Sequence, residues 1–147
     1  MQVQTFTRAA FEITTDPARL DLDAIHDFLS NHAYWALGRS RETIQRTLAN
    51  SLCFGLYHDT RQIGLARVIS DFATYAYMCD VYVLDAYRGQ GLGTWLIDCV
   101  LKHPDLRDII KFSLVTRSAQ ALYRKFGFAE VTEPHRYMNL RRPQVEP

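Results

Sequence analysis

The chain has 147 residues, of which 48% are hydrophobic, and its 17 basic and 16 acidic residues give a net charge of +1. This length and apolar content are typical of one compact domain with its own core, while the near balance of charge argues against a clamp for nucleic acid. No apolar run approaches the ~20 residues of a membrane span, and the N-terminus has no apolar signal core. We therefore expect a single domain over residues 1–147, with a frayed tail at 141–147, in a soluble cytoplasmic protein.

The first third of the chain predicts one strand and two helices. Residues 11–15 alternate apolar and polar side chains, which is typical of a strand. Apolar residues at helical spacing from residue 22 predict a helix, with Asp21 or Asp23 as its N-cap. A loop that contains Tyr34, Trp35, Gly38 and Arg39 follows, and we call it the aromatic loop. Ser40 then begins the second helix.

The remaining two thirds predict a mixed α/β fold. Three strands form an antiparallel meander, and a glycine-containing loop then leads through helix, strand and helix to two last strand-like pieces. The strands are predicted at residues 51–58, 62–70, 74–84, 109–116, 127–133 and 135–142, and the helices at 92–103 and 118–126. Because strand–loop–helix–strand is a right-handed βαβ crossover when its strands are parallel, we expect a mixed central sheet of six to seven strands with helices on both faces.

The cysteines and histidines show no pattern of metal chemistry. The three cysteines stand in apolar contexts without a C-x-x-C pair, so buried reduced thiols are predicted. The five histidines lack the spacing of metal ligands. No metal site is expected.

The sequence RGQGLG, residues 88–93, stands between an apolar strand and a helix, and we call it the glycine turn. Such a turn presents backbone N–H groups without intrahelical partners, and the helix dipole adds partial positive charge, so its natural ligand is an anion, most often a phosphate. Glycine allows close approach of the backbone, and Arg88 adds a charge-assisted contact. The spacing fits neither a P-loop nor a dinucleotide fingerprint. The alternative is a tight turn that binds nothing.

Two motifs resemble those of the Gcn5-related N-acetyltransferase (GNAT) superfamily. Residues 81–83 with the glycine turn are similar to its motif A, whose signature is Arg/Gln-x-x-Gly-x-Gly/Ala. Residues 119–128, which contain Tyr-x-x-x-Gly-Phe, are similar to its motif B. The motifs stand in the family's order with one strand between them, and the element order matches from about residue 11 to residue 140.

The resemblance implies acetyl-coenzyme A (acetyl-CoA) as cofactor and transfer of its acetyl group, by direct attack, to an amine of a small molecule or peptide. It assigns the pyrophosphate to the glycine turn and the pantetheine arm to the backbone of the preceding strand, which must separate from the next strand. It also implies a contact from Thr116, where the family often has Asn. The implied cofactor-binding residues are Val81, Tyr82, Val83, Arg88, Gly89, Gln90, Gly91, Leu92, Gly93, Thr94 and Thr116.

Two residues are candidates for the proton transfers. Tyr123 matches the family's usual general acid, which protonates the departing thiolate, and a phenol carries its proton at pH 7. Asp80 is an acid within an apolar strand, where a carboxylate is costly unless it is paired or solvated. We predict Asp80 either as the base or amine-binding anion, or as a structural acid bonded to a loop backbone or an arginine. Strict alternation puts Asp80 and Tyr82 on one face of the sheet unless a bulge intervenes.

The aromatic loop is the candidate wall for the acceptor, because two large aromatic residues beside an arginine suit binding. Its residues are Tyr34, Trp35 and Arg39. Two rival functions are a non-catalytic acyl-CoA-binding module and a domain used only for protein interaction. No nucleic acid or membrane partner is expected, and the sequence leaves open the acceptor's identity and whether the chain is a monomer or a homodimer.

Overall fold

Six strands form one sheet, in chain order, in the computed structural model, which describes residues 1–143. They are β1 (Thr5–Arg8), β2 (Phe11–Thr14), β3 (Leu52–His58), β4 (Arg61–Ser70), β5 (Tyr75–Val83) and β6 (Lys111–Ser113). Neighbours from β1 to β5 pair antiparallel, and β6 pairs parallel with β5. The predicted mixed sheet with an antiparallel meander is confirmed.

In the described part of the chain, four α-helices accompany the sheet: α1 (Leu22–His32), α2 (Arg41–Ala49), α3 (Leu92–Lys102) and α4 (Gln120–Arg124). Asp21 caps α1 by accepting the Ala24 N–H at 3.1 Å, and Ser40 caps α2 by accepting the Thr43 N–H at 3.2 Å. Such caps satisfy backbone donors that a helix start leaves free. Within residues 1–143, no helix has the length and apolar character needed to cross a membrane.

Helices cover both faces of the sheet, as predicted. The core of α1 and α2 includes Leu65 and Tyr82 from the sheet, together with Cys53. The neighbouring strand residue Phe54 points to the opposite face, where its ring meets that of His103 at the end of α3 with 5.6 Å between centroids. Alternation along β3 therefore places α1 and α2 on one face and α3 on the other.

The structure corrects the predicted strands at both ends of the chain. β1 was not predicted; it is an edge strand whose side chains are mostly exposed, so it carries little apolar signal. Residues 127–133 and 135–142 contain no strand, and Pro134–Arg136 instead forms a short 3-10 turn. An alternating pattern becomes a strand only where another strand offers an edge to pair with, and no such pairing occurs within residues 127–143.

The described chain packs as two compact units, Met1–Val115 and the segment from Thr116 onward. The first unit contains the whole sheet and three of the helices. The second contains α4, which ends as predicted near a left-handed glycine, Gly127 with φ of +93°. Residues 141–143 have neither helix nor strand, and the rest of the predicted tail, 144–147, lies outside the described residues. A single functional domain stays a prediction.

β5 and β6 pair over three residues only. Tyr75, Ala76 and Tyr77 pair with β6, and the pairing then stops. The rest of β5, residues 78–83, has no strand partner on that edge in the described chain, and it leads directly into the glycine turn. The separation that the resemblance implied is therefore present.

His103 gives the fold a testable pH dependence. The ring is 1% exposed, and burial lowers the pKa of His103 below its ordinary value. Its Nδ1 accepts the Asp105 N–H at 3.1 Å. As the pH falls through about 6.5, the unfolded chain therefore gains a proton that the folded chain does not, and stability falls by at most about 1.4 kcal/mol per pH unit.

Replacing His103 with asparagine is expected to reduce this pH dependence, because the amide stays neutral and its oxygen can accept the Asp105 N–H. Urea unfolding of both proteins at pH 7, 6 and 5 measures the effect. The variant will be less stable at pH 7, since it loses ring packing against Phe54, but its stability will fall less toward pH 5. Equal losses in the two proteins would show that His103 does not cause the dependence.

Candidate functional site

A bulge in β5 determines where Asp80 points. Two β5 residues, Asp80 and Val81, lie opposite a single β4 residue, Ala66. Asp80 has a φ of +50°, in the left-handed region that aspartate enters more readily than most residues. A bulge redirects side chains next to it, and this one lets the Asp80 carboxylate reach Arg67 on the neighbouring strand.

The Asp80 carboxylate accepts hydrogen bonds from three side chains. Trp35 donates its indole N–H to Oδ1 at 2.7 Å, and Arg67 donates Nε–H to Oδ2 at 2.8 Å. Arg39 donates from Nη1 to both oxygens, at 3.2 and 3.1 Å. The Asp80 side chain is only 2% exposed. The structure thus brings together three residues that were predicted separately, Asp80, Trp35 and Arg39. We use the name Asp80 cluster for these three residues together with Arg67.

The surroundings of Asp80 keep it ionised. Burial by itself would raise the pKa of Asp80, but Arg67 and Arg39, with hydrogen bonds from Arg67 and Trp35, outweigh burial and hold that pKa below its usual range. An opposite charge within hydrogen-bond distance favours the carboxylate. A carboxylate whose pKa is lowered and whose two oxygens already accept hydrogen bonds is a weak proton acceptor. Of the two predicted roles, these contacts favour the acid bonded to arginines.

Arg67 is a member of the cluster that the sequence analysis missed. It also donates from Nη1 to the Ser51 hydroxyl at 3.0 Å. A signal was present, because Arg67 stands alone among apolar residues in QIGLARVIS just as Asp80 does in YMCDVYV. Opposite charges in the two strands of a hairpin indicate a cross-strand pair.

Hydrogen bonds hold the aromatic loop both to α1 and to β5. Gly38, with φ of +77°, donates its N–H to the Ser30 carbonyl of α1 at 3.0 Å, and Trp35 and Arg39 bond to Asp80 of β5. The Tyr34 ring packs edge-on against Trp35 with 5.1 Å between centroids. Tyr34 and Trp35 remain 45% and 40% exposed. The loop therefore offers aromatic surface on a held backbone.

The glycine turn presents backbone donors that the chain itself does not use. Gly89 and Gly91 have φ of +83° and +81°, and Gly91 is the N-cap of α3. The first amide with an acceptor in this helix is Trp95, which donates to the Gly91 carbonyl at 3.0 Å. The amides of residues 91–94 have no acceptor in the described chain. A Cβ on Gly89 or Gly91 would meet open space, so the backbone is accessible there.

The strand before the turn offers its backbone rather than its side chains. The Tyr82 ring is buried and stacks on Phe28 with 3.9 Å between centroids, so it belongs to the core. The Val83 carbonyl accepts the Arg88 Nε–H at 3.0 Å, which holds Arg88 against the strand end. Val81 is half-buried and Val83 is buried.

Tyr123 and Thr116 lie in the second unit. Tyr123 is buried, and its ring meets that of Phe128 with 5.7 Å between centroids. The Thr116 hydroxyl accepts the Ala119 N–H at 3.0 Å, so it holds the chain where it approaches α4. Whether either residue acts on a cofactor stays a prediction.

All three cysteines are free thiols, and two of them, Cys53 and Cys99, are buried. Burial raises the pKa of Cys53 to about 12 and the pKa values of Cys79 and Cys99 to about 11. Because the thiolate is the nucleophile, these thiols are unreactive near neutral pH. Among residues 1–143, no three His, Cys, Asp or Glu side chains are grouped to hold a metal ion.

The chain is similar in sequence and in structure to known acetyltransferases. The sequence profile of the Acetyltransferase (GNAT) domain matches residues 49–130, more than half of the chain. A crystal structure from Xanthomonas campestris, described as an inferred GNAT acetyltransferase, is 42% identical, with a TM-score of 0.87 over 90% of this chain and 94% of that chain. A Staphylococcus aureus structure, described as of unknown function and an inferred acetyltransferase, is 29% identical, with a TM-score of 0.72 over 90% and 98%.

A curated relative from Gibberella zeae, also named as an inferred acetyltransferase, is 34% identical over 113 residues. The matched segment is 64% of this chain and 64% of that protein, so it covers less than two thirds of the relative's own length. The domain profile, the similar structures and the observed sheet agree with one another. The chain belongs to the GNAT acetyltransferase family.

Proposed function

We propose that the protein is an acetyl-CoA-dependent N-acetyltransferase that acetylates a primary amine of a small molecule or peptide by direct attack. The observation that carries the proposal is the unpaired edge of β5, residues 78–83, which runs into a glycine turn with unused amide donors. Family membership adds support. An acetyl donor with a pyrophosphate and an amide-bearing arm matches both features.

The residues present fit this cofactor. Amides of the glycine turn, with the α3 dipole, suit the pyrophosphate. The Arg88 guanidinium lies beside the turn, where its Nη1 pairs with Asp85 at 2.5 Å. The backbone edge of Val81, Tyr82 and Val83 that has no strand partner suits an extended arm that pairs as an added strand, and on it the Val83 carbonyl already accepts the Arg88 Nε–H. When bound, the cofactor supplies an acetyl group activated as a thioester.

Tyr123 holds the proton that is donated to the leaving sulfur. Asp80 fixes Trp35 and Arg39 by its hydrogen bonds, and the acceptor amine loses its proton to water rather than to this engaged carboxylate. Transfer by direct attack is supported by the cysteines, because burial raises their pKa values and leaves little thiolate at neutral pH to carry the acetyl group.

Replacing Gly91 with alanine tests the cofactor site. The Cβ would project into the accessible face of the turn and keep a phosphate from the amides, so we expect acetyl-CoA affinity to fall by about tenfold or more. Calorimetric titration with acetyl-CoA measures this. Left-handed alanine also costs about 1–2 kcal/mol, so a control with the same strain is needed.

Gly38 provides that control. It has a similar φ and open space for a Cβ, and it lies in the aromatic loop rather than in the turn. Gly38→Ala should lose similar stability and keep wild-type affinity for acetyl-CoA. Equal affinity in Gly91→Ala and the wild type, or no binding to the wild type, would refute the assignment of the cofactor to this turn.

A further inference from the structure

The Asp80 cluster has a net charge of +1, because it contains two arginines and one carboxylate. Arg39 and Arg67 each bring a positive charge, and among residues 1–143 Asp80 is the only acid in a salt bridge with either. The side chains of Arg39, Arg67 and Asp80 are 20%, 10% and 2% exposed. A charge held this deeply is costly unless it is paired. The excess charge therefore favours binding of an anion.

Arg39 has donors available for that anion. Both of its contacts with Asp80 come from Nη1, while Nε and Nη2 have no hydrogen-bond partner in the described chain. Neither nitrogen is enclosed without a partner. Nε–H and one Nη2–H are parallel donors, the geometry with which arginine binds the two oxygens of a carboxylate or phosphate. We call them the open edge of Arg39.

The open edge is held in place before any ligand binds. Asp80 grips the guanidinium through Nη1, and Asp80 is itself bonded to Arg67 and Trp35. A donor pair that is already ordered loses little conformational entropy on binding. Asp80 also belongs to the unpaired segment of β5, so the Arg39 guanidinium that it holds lies at the strand proposed to hold the acetyl donor.

We propose that the acceptor amine also carries an oxyanion, a carboxylate or a phosphate, which Arg39 binds through Nε and Nη2. The exposed rings of Tyr34 and Trp35 form a neighbouring apolar surface for the rest of the acceptor. This inference rests on the proposed function. It makes polyamines poor acceptors, because their positive charges would meet the excess charge of the cluster without an oxyanion to compensate.

Matched pairs of amines test the inference. Each pair differs by the oxyanion alone: phenylalanine and phenethylamine, lysine and cadaverine, phosphoethanolamine and ethanolamine. For the wild type we expect kcat/KM to be higher for the anionic member by at least about tenfold in the carboxylate pairs or the phosphate pair. The pair that shows the preference identifies which oxyanion is bound.

Arg39→Met should reduce that preference to near one. Both members of a pair are measured on the same preparation, so the ratio does not depend on the folded fraction. Arg46→Met, which removes an exposed arginine of α2, is the matched control and should keep the wild-type ratio. A ratio near or below one in the wild type, or an unchanged ratio in Arg39→Met, would overturn the inference.

Binding without turnover separates this inference from the proposed function. In the presence of coenzyme A, calorimetry with N-acetylphenylalanine, its primary amide and inorganic phosphate reports on the oxyanion site alone. We expect N-acetylphenylalanine to bind at least about tenfold more tightly than the amide, or phosphate to bind measurably, and Arg39→Met to abolish the difference. If no amine is acetylated although the oxyanion binds, the proposed function fails. If amines are acetylated without any oxyanion preference, the inference fails.

Discussion

Replacing Asp80 with asparagine is expected to lower the free energy of unfolding by about 3–5 kcal/mol, the cost of leaving buried charges without a partner. The change leaves Arg39 and Arg67 side by side with no carboxylate between them. Asparagine is nearly the same size as aspartate and also tolerates a left-handed backbone, so strain at φ of +50° is not the cause. Urea unfolding of the two proteins at pH 7 measures the difference.

Asp98→Asn is the matched control for this experiment. Asp98 pairs with Lys102 at 2.8 Å, but the two side chains are 38% and 71% exposed, and such surface pairs contribute about 0–1 kcal/mol. Adding Arg67→Met to Asp80→Asn should restore part of the lost stability, since it removes one orphaned cation from the interior. A loss in Asp80→Asn no larger than in Asp98→Asn would show that the cluster does not depend on this carboxylate.

Replacing Tyr123 with phenylalanine is expected to lower kcat by about a hundredfold to ten-thousandfold, the range for loss of a general acid. The phenylalanine ring can keep the contact with Phe128, so the second unit should remain folded. Acetyl-CoA affinity should stay within about twofold of wild type, because the hydroxyl is needed only when the sulfur leaves. Steady-state turnover and calorimetric titration together separate the two effects.

The control for Tyr123→Phe is Tyr137→Phe, which removes a hydroxyl from an exposed tyrosine of the same unit. It should retain wild-type turnover. Turnover in Tyr123→Phe equal to that of this control would remove the acid assignment. A parallel loss of acetyl-CoA affinity and turnover would instead show that Tyr123 supports binding.

The sequence was sufficient for features that depend on neighbouring residues. The glycine turn, the caps Asp21 and Ser40 and the left-handed Gly127 could be predicted because glycine and short polar side chains have strong local preferences. The meander could be predicted because its strands are adjacent in the chain and rich in β-formers. The resemblance to known motifs then extended these local features to the whole fold.

The convergence of the Asp80 cluster could not be predicted, because its members come from a loop and two strands. Asp80, Trp35 and Arg39 were each singled out, but nothing in the sequence indicates that one carboxylate bonds both of the others. The bulge at Asp80 and Val81 depends on register against β4, which only the paired strands define. For the same reason, the pieces after residue 126 had the pattern of strands without an edge to pair with.

Acetylation of an amine by acetyl-CoA releases coenzyme A as a free thiol, so thiol release measures the proposed reaction itself. Purified protein is mixed with acetyl-CoA and each amine of the matched panel, and free thiol is followed with a chromogenic disulfide. The mass of the amine product is measured by mass spectrometry. We expect thiol release that depends on the amine, with one acetyl group gained by the amine for each thiol released. Tight binding of acetyl-CoA with no amine-dependent release for any amine in the panel would contradict it, and would indicate a module that binds acyl-CoA without catalysis.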